Sequence, residues 1–174
     1  FYALQRTSKS TIIYEVLAEG GITRMLAVYQ SMEDVGQIGT VRSSRPYYLE
    51  LALGLDAIYL HAGGSEDAYA KIKAWGVTAL DCVRGSYEGR EPGSNLFWRD
   101  ADRRKNNGYE HSVVTSGDVI IEKFAAYGFR QEHADGYTYN MTFLEDGTPG
   151  HGERAQVITV PFSTYKTGVF TYSY

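Results

Sequence analysis

The chain has a single cysteine, Cys82, in 174 residues, so no intrachain disulfide can hold it together and the fold must rest on a packed core. It contains no run of about 18 apolar residues, the length a membrane-spanning helix requires. The N-terminal "FYALQRTSKS" lacks the basic and apolar regions of a secretory leader. Basic charge is not in excess either: 17 Lys and Arg against 21 Asp and Glu leave a net charge of -4. A general nucleic-acid binder needs a basic stripe that displaces counterions from phosphates, and this chain is therefore not expected to be one. The G-x-S-x-G turn of a nucleophile elbow is missing. His133, Asp135, His151 and Glu153 follow no zinc-ligand spacing and read as solvated loop residues. "DADRRKNNG" lacks the remaining ligands and the closing glutamate of a calcium loop. No metal and no cofactor is expected, and any anion site must be local.

At 43% hydrophobic and 22% charged residues, the chain fits one globular domain that hides roughly two-thirds of its unfolded surface. Fifteen tyrosines against 7 phenylalanines, with 19 glycines, point to twisted sheet edges and many turns rather than a helical bundle. The segment "TIIYEVLAEGGITRMLAVYQ" reads as a hairpin with arms at about 11–19 and 22–30 around Gly20-Gly21, and alternation turns Ile12, Tyr14, Val16 and Ala18 inward. Pro46 suits the first turn of a helix running to about 54, with Tyr48, Leu51, Ala52 and Leu55 on its apolar face. "DAIYLHA" is a short strand at 56–61, Ser65 caps a helix over 66–75, and "VTALDCV" is a further strand in which Cys82 is a buried, unreactive thiol. Residues 84–107 are polar and glycine-punctuated and read as a long surface loop with one helical turn after Trp98. "VVTSGDVIIEKFAAYG" holds a helix capped by Thr115 or Ser116 and ended by Gly128. The tyrosine-rich remainder carries two or three more strands, and the chain stops inside a strand-like pattern.

The stretch from Gln37 to Ile72 places a helix, a strand and a helix in succession. With short connections each runs antiparallel to its neighbour, so both helix starts share one rim. A helix start offers unpaired N–H groups and about half a positive charge, which suits an anion. Arg42 and Arg45 stand ahead of the first start, while His61, Gly63, Gly64 and Ser65 surround the second. Eleven of the 17 basic residues are arginine, whose planar fork matches carboxylate and phosphate. A plainer reading stays open beside this one, in which Ser65 only caps its helix, Glu66 and Asp67 satisfy the dipole, and the arginines pair with surface carboxylates. Glu19, Thr23 and Arg24 flank the hairpin turn and also fit an exposed cross-strand set.

"YEVLAEGGITRMLAVYQ", "IGTVRSSRPYYLELALGLDAIYLHAGGSEDAYAKI" and "FWRDADRRKNNGYEHSVVTSGDVI" together resemble the YerB-like proteins of Gram-positive bacteria, lipoproteins without an established biochemical activity. The likeness rests on E-G-G-x-T-R and on V-R-S-x-R followed by H-x-G-G-S, and covers positions 10 to 130 well. It implies an α+β fold, a layered sheet with hairpins covered by helices in a three-layer ββα-like sandwich of mixed strands. It also implies one YerB-like N-terminal domain over 1–174 with the start of a C-terminal β-rich region from about 155. Placement would be extracytoplasmic, on the outer face of the membrane, with a lipidated cysteine upstream of Phe1. The motif residues carry over as Glu19, Thr23, Arg24, Arg42, Ser43, Arg45, His61, Gly63, Gly64 and Ser65. After Arg99 this chain departs from the proline-histidine-rich form of some members.

Three functions fit these readings. The first is a module binding an anionic envelope component or small ligand through Arg24, Arg42, Ser43, Arg45, His61, Gly63, Gly64 and Ser65. The alternative is a wall-polymer-modifying enzyme with Glu19 or His61 as the proton-transfer group and arginines stabilising charge. A purely structural lipoprotein is the third. In each case membrane contact runs only through a lipid anchor outside this chain.

Overall fold

The computed structural model describes residues 12–85, 87, 95–138, 141, 150–153 and 155–172. Strand β1 (Ile12–Leu17) pairs with β2 (Thr23–Val28). They are joined by a single 3-10 turn at Glu19–Gly21, and the Ala18 N–H donates to the Ile22 carbonyl at 2.8 Å. The hairpin read from Gly20-Gly21 is present. Along β1, Ile13 and Leu17 are exposed while Ile12, Tyr14 and Val16 are half-buried, the alternation that the sequence shows.

Strand β3 (Gln37–Gly39) leads to helix α1 (Pro46–Gly54), with Pro46 in the first turn, where its missing N–H removes no helical bond. Tyr48, Leu49 and Ala52 are buried on it. Leu49, outside the apolar set read from the sequence, is fully enclosed, a burial that stabilises by about 1.5–3 kcal/mol. Strand β4 (Tyr59–His61), helix α2 (Glu66–Trp75) and strand β5 (Ala79–Asp81) form a β-α-β unit, with β4 and β5 parallel and His61 opposite Asp81.

Residues 95–107 correct the expected loop. Leu96 and Phe97 are fully buried, Trp98–Arg99 form strand β6, and Ala101–Asn107 form helix α3. Asp100 accepts the Arg103 N–H at 2.8 Å as its cap, Asp102 sits in its first turn, and Arg104 and Lys105 lie in its last. Those charges match the helix dipole at both ends. The part of the expected loop at 86 and 88–94 lies outside the described residues. Strand β7 (Val113–Ser116) runs straight into helix α4 (Gly117–Tyr127), which Gly128 ends as expected. No side chain caps α4, and Gly117 is there for space: a Cβ would lie 2.3 Å from the Met32 carbonyl oxygen and 2.4 Å from that of Val35.

β7 pairs antiparallel with β3 on one side and β6 on the other. The chain after β3 stitches this sheet to the parallel pair: the Val41 N–H donates to the Val113 carbonyl, and the Arg42 carbonyl accepts the Ala62 N–H. Mixed strands result. A core of Tyr29, Ile38, Leu60, Leu80, Phe97 and Ile120 with their neighbours fills the interior, Cys82 among them at 2% exposure. The fold is α+β.

By contacts the chain divides into two compact units, one of Phe1–Tyr14 and Met25–Tyr137, the other of Glu15–Arg24 and Thr138–Tyr174. The second contains the antiparallel strands β8 (Val157–Pro161) and β9 (Thr167–Thr171). Within it the Ser163 hydroxyl donates to the Gly21 carbonyl and Lys166 pairs with Glu15 at 3.4 Å.

Candidate functional site

The β4–α2–β5 unit fixes one side of the site. Immediately after β4, Gly63 turns the chain at φ 77°, a conformation that L side chains rarely adopt. Its N–H donates to Asp81 Oδ1 at 2.7 Å. Asp81 Oδ1 also accepts the Val83 N–H at 2.9 Å, while Oδ2 accepts the Tyr69 hydroxyl at 2.7 Å and the Arg84 N–H at 3.0 Å. Burial alone would raise this carboxyl's pKa, but the bonds from Tyr69, Val83 and Gly63, with the nearby His61, outweigh it and hold the pKa below the ordinary value. Burial first, and then Asp81, pushes the Tyr69 phenol up. Arg84 lies over the Tyr69 ring at 3.7 Å and reaches Glu66 at 2.6 Å.

His61 is 1% exposed. Its Nδ1 lies 2.8 Å from the Gly63 carbonyl, which can only accept, so Nδ1 carries the proton. The ring stacks on Tyr59 at 5.2 Å. Burial lowers its pKa against the opposing pull of Gly63 and Asp81, and a neutral imidazole results. His61 is thus enclosed beneath the rim rather than presented on it.

The other side is the segment Arg42–Arg45. An isolated parallel bridge joins Ser44 to Gly64, with the Ser44 N–H on the Gly63 carbonyl at 2.8 Å and the Ser65 N–H on the Ser44 carbonyl at 3.3 Å. "VRSSRP" and "HAGGS" therefore meet, and α1 and α2 start side by side. Their donors differ. The Ser65 Oγ accepts the Ala68 N–H at 3.1 Å, and Glu66 and Asp67 occupy the first turn of α2. Gly63 and Ser65 spend their backbone N–H groups inside the protein, on Asp81 and on the Ser44 carbonyl. At α1, Arg45 occupies the cap position with no side-chain cap and no acid in the first turn.

Arg42 donates to the Glu110 carbonyl at 2.6 Å and lies 3.7 Å from its exposed carboxylate. Arg45 donates to the Ser44 carbonyl at 2.8 Å. The Ser43 Oγ would lie 3.5 Å from a Cβ on Gly63. Ser44 is fully buried, and its hydroxyl has no hydrogen-bond partner among the described residues.

Glu19 and Arg24 pair at 3.5 Å, and Thr23 donates to Glu15 at 2.5 Å, all within the second unit. Asp81, Tyr69 and Arg84 escaped the sequence reading. A signal existed in the lone acid of "VTALDCV", since an acid in a buried strand must find partners.

Residues 7–130 match the family described as "Protein of unknown function (DUF3048) N-terminal domain". Over 124 residues, 71% of this chain, the sequence is 37% identical to a protein of Bacillus subtilis (strain 168) named "Putative lipoprotein YerB". This chain spans about a third of that relative's length, 34%. The crystal structure of YerB protein from Bacillus subtilis superposes with a TM-score of 0.60 at 30% identity, covering 74% of this chain and 40% of that one. Matched by the family over most of its length and by the YerB structure in fold, the chain belongs to the DUF3048 N-terminal domain family, the YerB-like proteins.

Proposed function

We propose that this chain is the N-terminal ligand-binding domain of a lipid-anchored protein on the outer face of the cell membrane. It receives an anionic group of an envelope component, a phosphate or a carboxylate, at the start of α1. One observation carries the reading: α1 opens with neither a side-chain cap nor an acid in its first turn, and it follows Arg42, Ser43 and Arg45. Pro46 brings no N–H and the Tyr48 N–H already bonds the Arg45 carbonyl at 3.0 Å, so a small anion would be held by the Tyr47 N–H, the helix dipole and the guanidinium forks. The Gly63–Ser65 turn serves as the wall that fixes Ser44 and hence Arg45. Arg24 belongs to the other unit and is not needed. The relative's name supports the lipid anchor, and the residues from about 155 onward open a second, β-rich region. The enzymatic alternative lacks comparable support, since His61 is enclosed and Glu19 is paired with Arg24.

The test is an NMR titration of labelled protein with inorganic phosphate and with glycerol phosphate. Saturable shifts at the Tyr47 and Tyr48 amides are expected. Arg45→Ala weakens binding by about 1.5–3 kcal/mol, the range for a hydrogen bond to a charged group, with the fold intact. The reading fails if neither anion shifts those amides at tens of millimolar. Metabolic labelling of the full-length protein with a fatty-acid analogue tests the anchor.

A further inference from the structure

A groove of about 520 Å³ in the first unit shares no residue with Arg42–Arg45 or with Gly63–Ser65. Tyr29, Ile58, Leu60, Ile120 and Phe124 supply the apolar part of its lining. Tyr29, Leu60 and Ile120 belong to the buried core and Ile58 and Phe124 pack against it, so the groove opens directly onto the core. Beside them Ile121 lines the groove and is 45% exposed.

The remaining lining is mostly polar or charged and includes Gln30, Ser31, Gln131 and His133, the last 3.3 Å from Asp56. Asp56 accepts both guanidinium nitrogens of Arg130, at 2.9 and 2.7 Å, and the Ala134 N–H at 2.7 Å. Its carbonyl takes a further bond from Arg130 at 2.7 Å. The positive charge on this wall is therefore already engaged. Glu33 and Glu132 also line the groove, and neither forms an ion pair among the described residues. A second hollow adjoins it through Met32, Glu33 and Ile121 and adds Asp34 and Asp118. Asp56 of the groove and Asp34 of the adjoining hollow hold positive φ, 45° and 56°, a conformation uncommon outside glycine. An apolar floor under an acidic rim complements one kind of ligand. The volume lies within the range of small-molecule sites.

We propose that this groove binds an organic cation, a protonated amine on an apolar body, with the body on Ile58, Leu60 and Phe124 and the ammonium facing Glu33 and Glu132. This inference stands apart from the anion reading and fails independently of it.

Three probes of one shape and different charge test it on the full chain: 4-phenylbutylamine, 4-phenylbutanol and 4-phenylbutyrate. The expected result is saturable shifts of amides in 29–33, 56–60 and 120–133. The amine should bind about fivefold tighter than the alcohol, as one or two exposed charge contacts allow, and the acid weakest. Glu33→Gln with Glu132→Gln should bring the amine to the alcohol's affinity and leave the alcohol unchanged. Ile121→Lys should weaken the amine while sparing the thermal midpoint. Equal binding of amine and acid overturns the proposal. So do shifts confined to other residues, an amine preference that survives the double variant, or no saturable shift.

Discussion

Helices α1 and α2 begin side by side, joined through Ser44 and Gly64, yet their first turns are built differently. The start of α2 is closed by its own sequence: Ser65 caps it, Glu66 and Asp67 answer its dipole, and Asp81 takes the Gly63 N–H of the preceding turn. The start of α1 has Arg45 at the cap, Pro46 next, and no acid in the first turn. A helix start attracts anions only to the extent that its own side chains have not already done so. Gly-Gly-Ser ahead of a helix looks like a cradle, but here it is scaffolding, and the proposed anion site falls to the neighbour.

Changes at the scaffold should do the most damage. Asp81→Ala leaves the N–H groups of Gly63, Val83 and Arg84 and the Tyr69 hydroxyl without their acceptor. Its expected cost is on the order of 3–5 kcal/mol in urea unfolding; a loss below about 1 kcal/mol would break the contrast between the two starts. The same hub sets a pH dependence. His61 has a folded pKa below its unfolded value, so the unfolded chain takes up the proton first and stability declines as pH falls below about 6.5. Asp81 is also depressed, so its contribution is complete above the unfolded carboxylate range and disappears as pH falls through the folded value. Urea midpoints measured from pH 8 downward should therefore fall in two stages, and His61→Gln should flatten the upper one.

Arg45→Ala is expected to leave unfolding within about 0.5 kcal/mol of the parent while losing phosphate affinity roughly tenfold or more. Ser65→Ala should do the reverse, costing about 1 kcal/mol of stability through the lost cap and leaving phosphate affinity unchanged. The pair, measured together by calorimetry and phosphate titration, separates the two helix starts. Ser44→Ala should matter least to folding, within about 0.5 kcal/mol, because the hydroxyl it removes bonds nothing among the described residues.

Much of this arrangement was legible. Pro46 and Gly54 bound α1, Ser65 and Trp75 bracket α2, and Gly128 ends α4, because capping and periodicity are local. Strands of three residues, such as Tyr59–His61 and Ala79–Asp81, are too short to show a period, so their parallel pairing was not readable. Residues 98–107 were read as loop with one helical turn after Trp98; the turn is there, but polar composition hid its extension into the 7-residue α3, which Asp100 and Asp102 ahead and Arg104 and Lys105 behind signal. Leu49 escaped because α1 buries more than one narrow stripe. Asp81 escaped because its partners come from Gly63, Tyr69 and the turn after β5, which no spacing rule connects.

The sole cysteine gives this junction a clock. Cys82 follows Asp81 directly, is 2% exposed, and its N–H donates to the His61 carbonyl across the parallel pair. A thiol reagent can reach the sulfur only when this part of the core opens, so the labelling rate of native protein reports the opening equilibrium. A ligand that tightens the Gly63–Ser65 turn should slow the clock. One that binds only the half-buried Arg42 and Arg45 should leave it running.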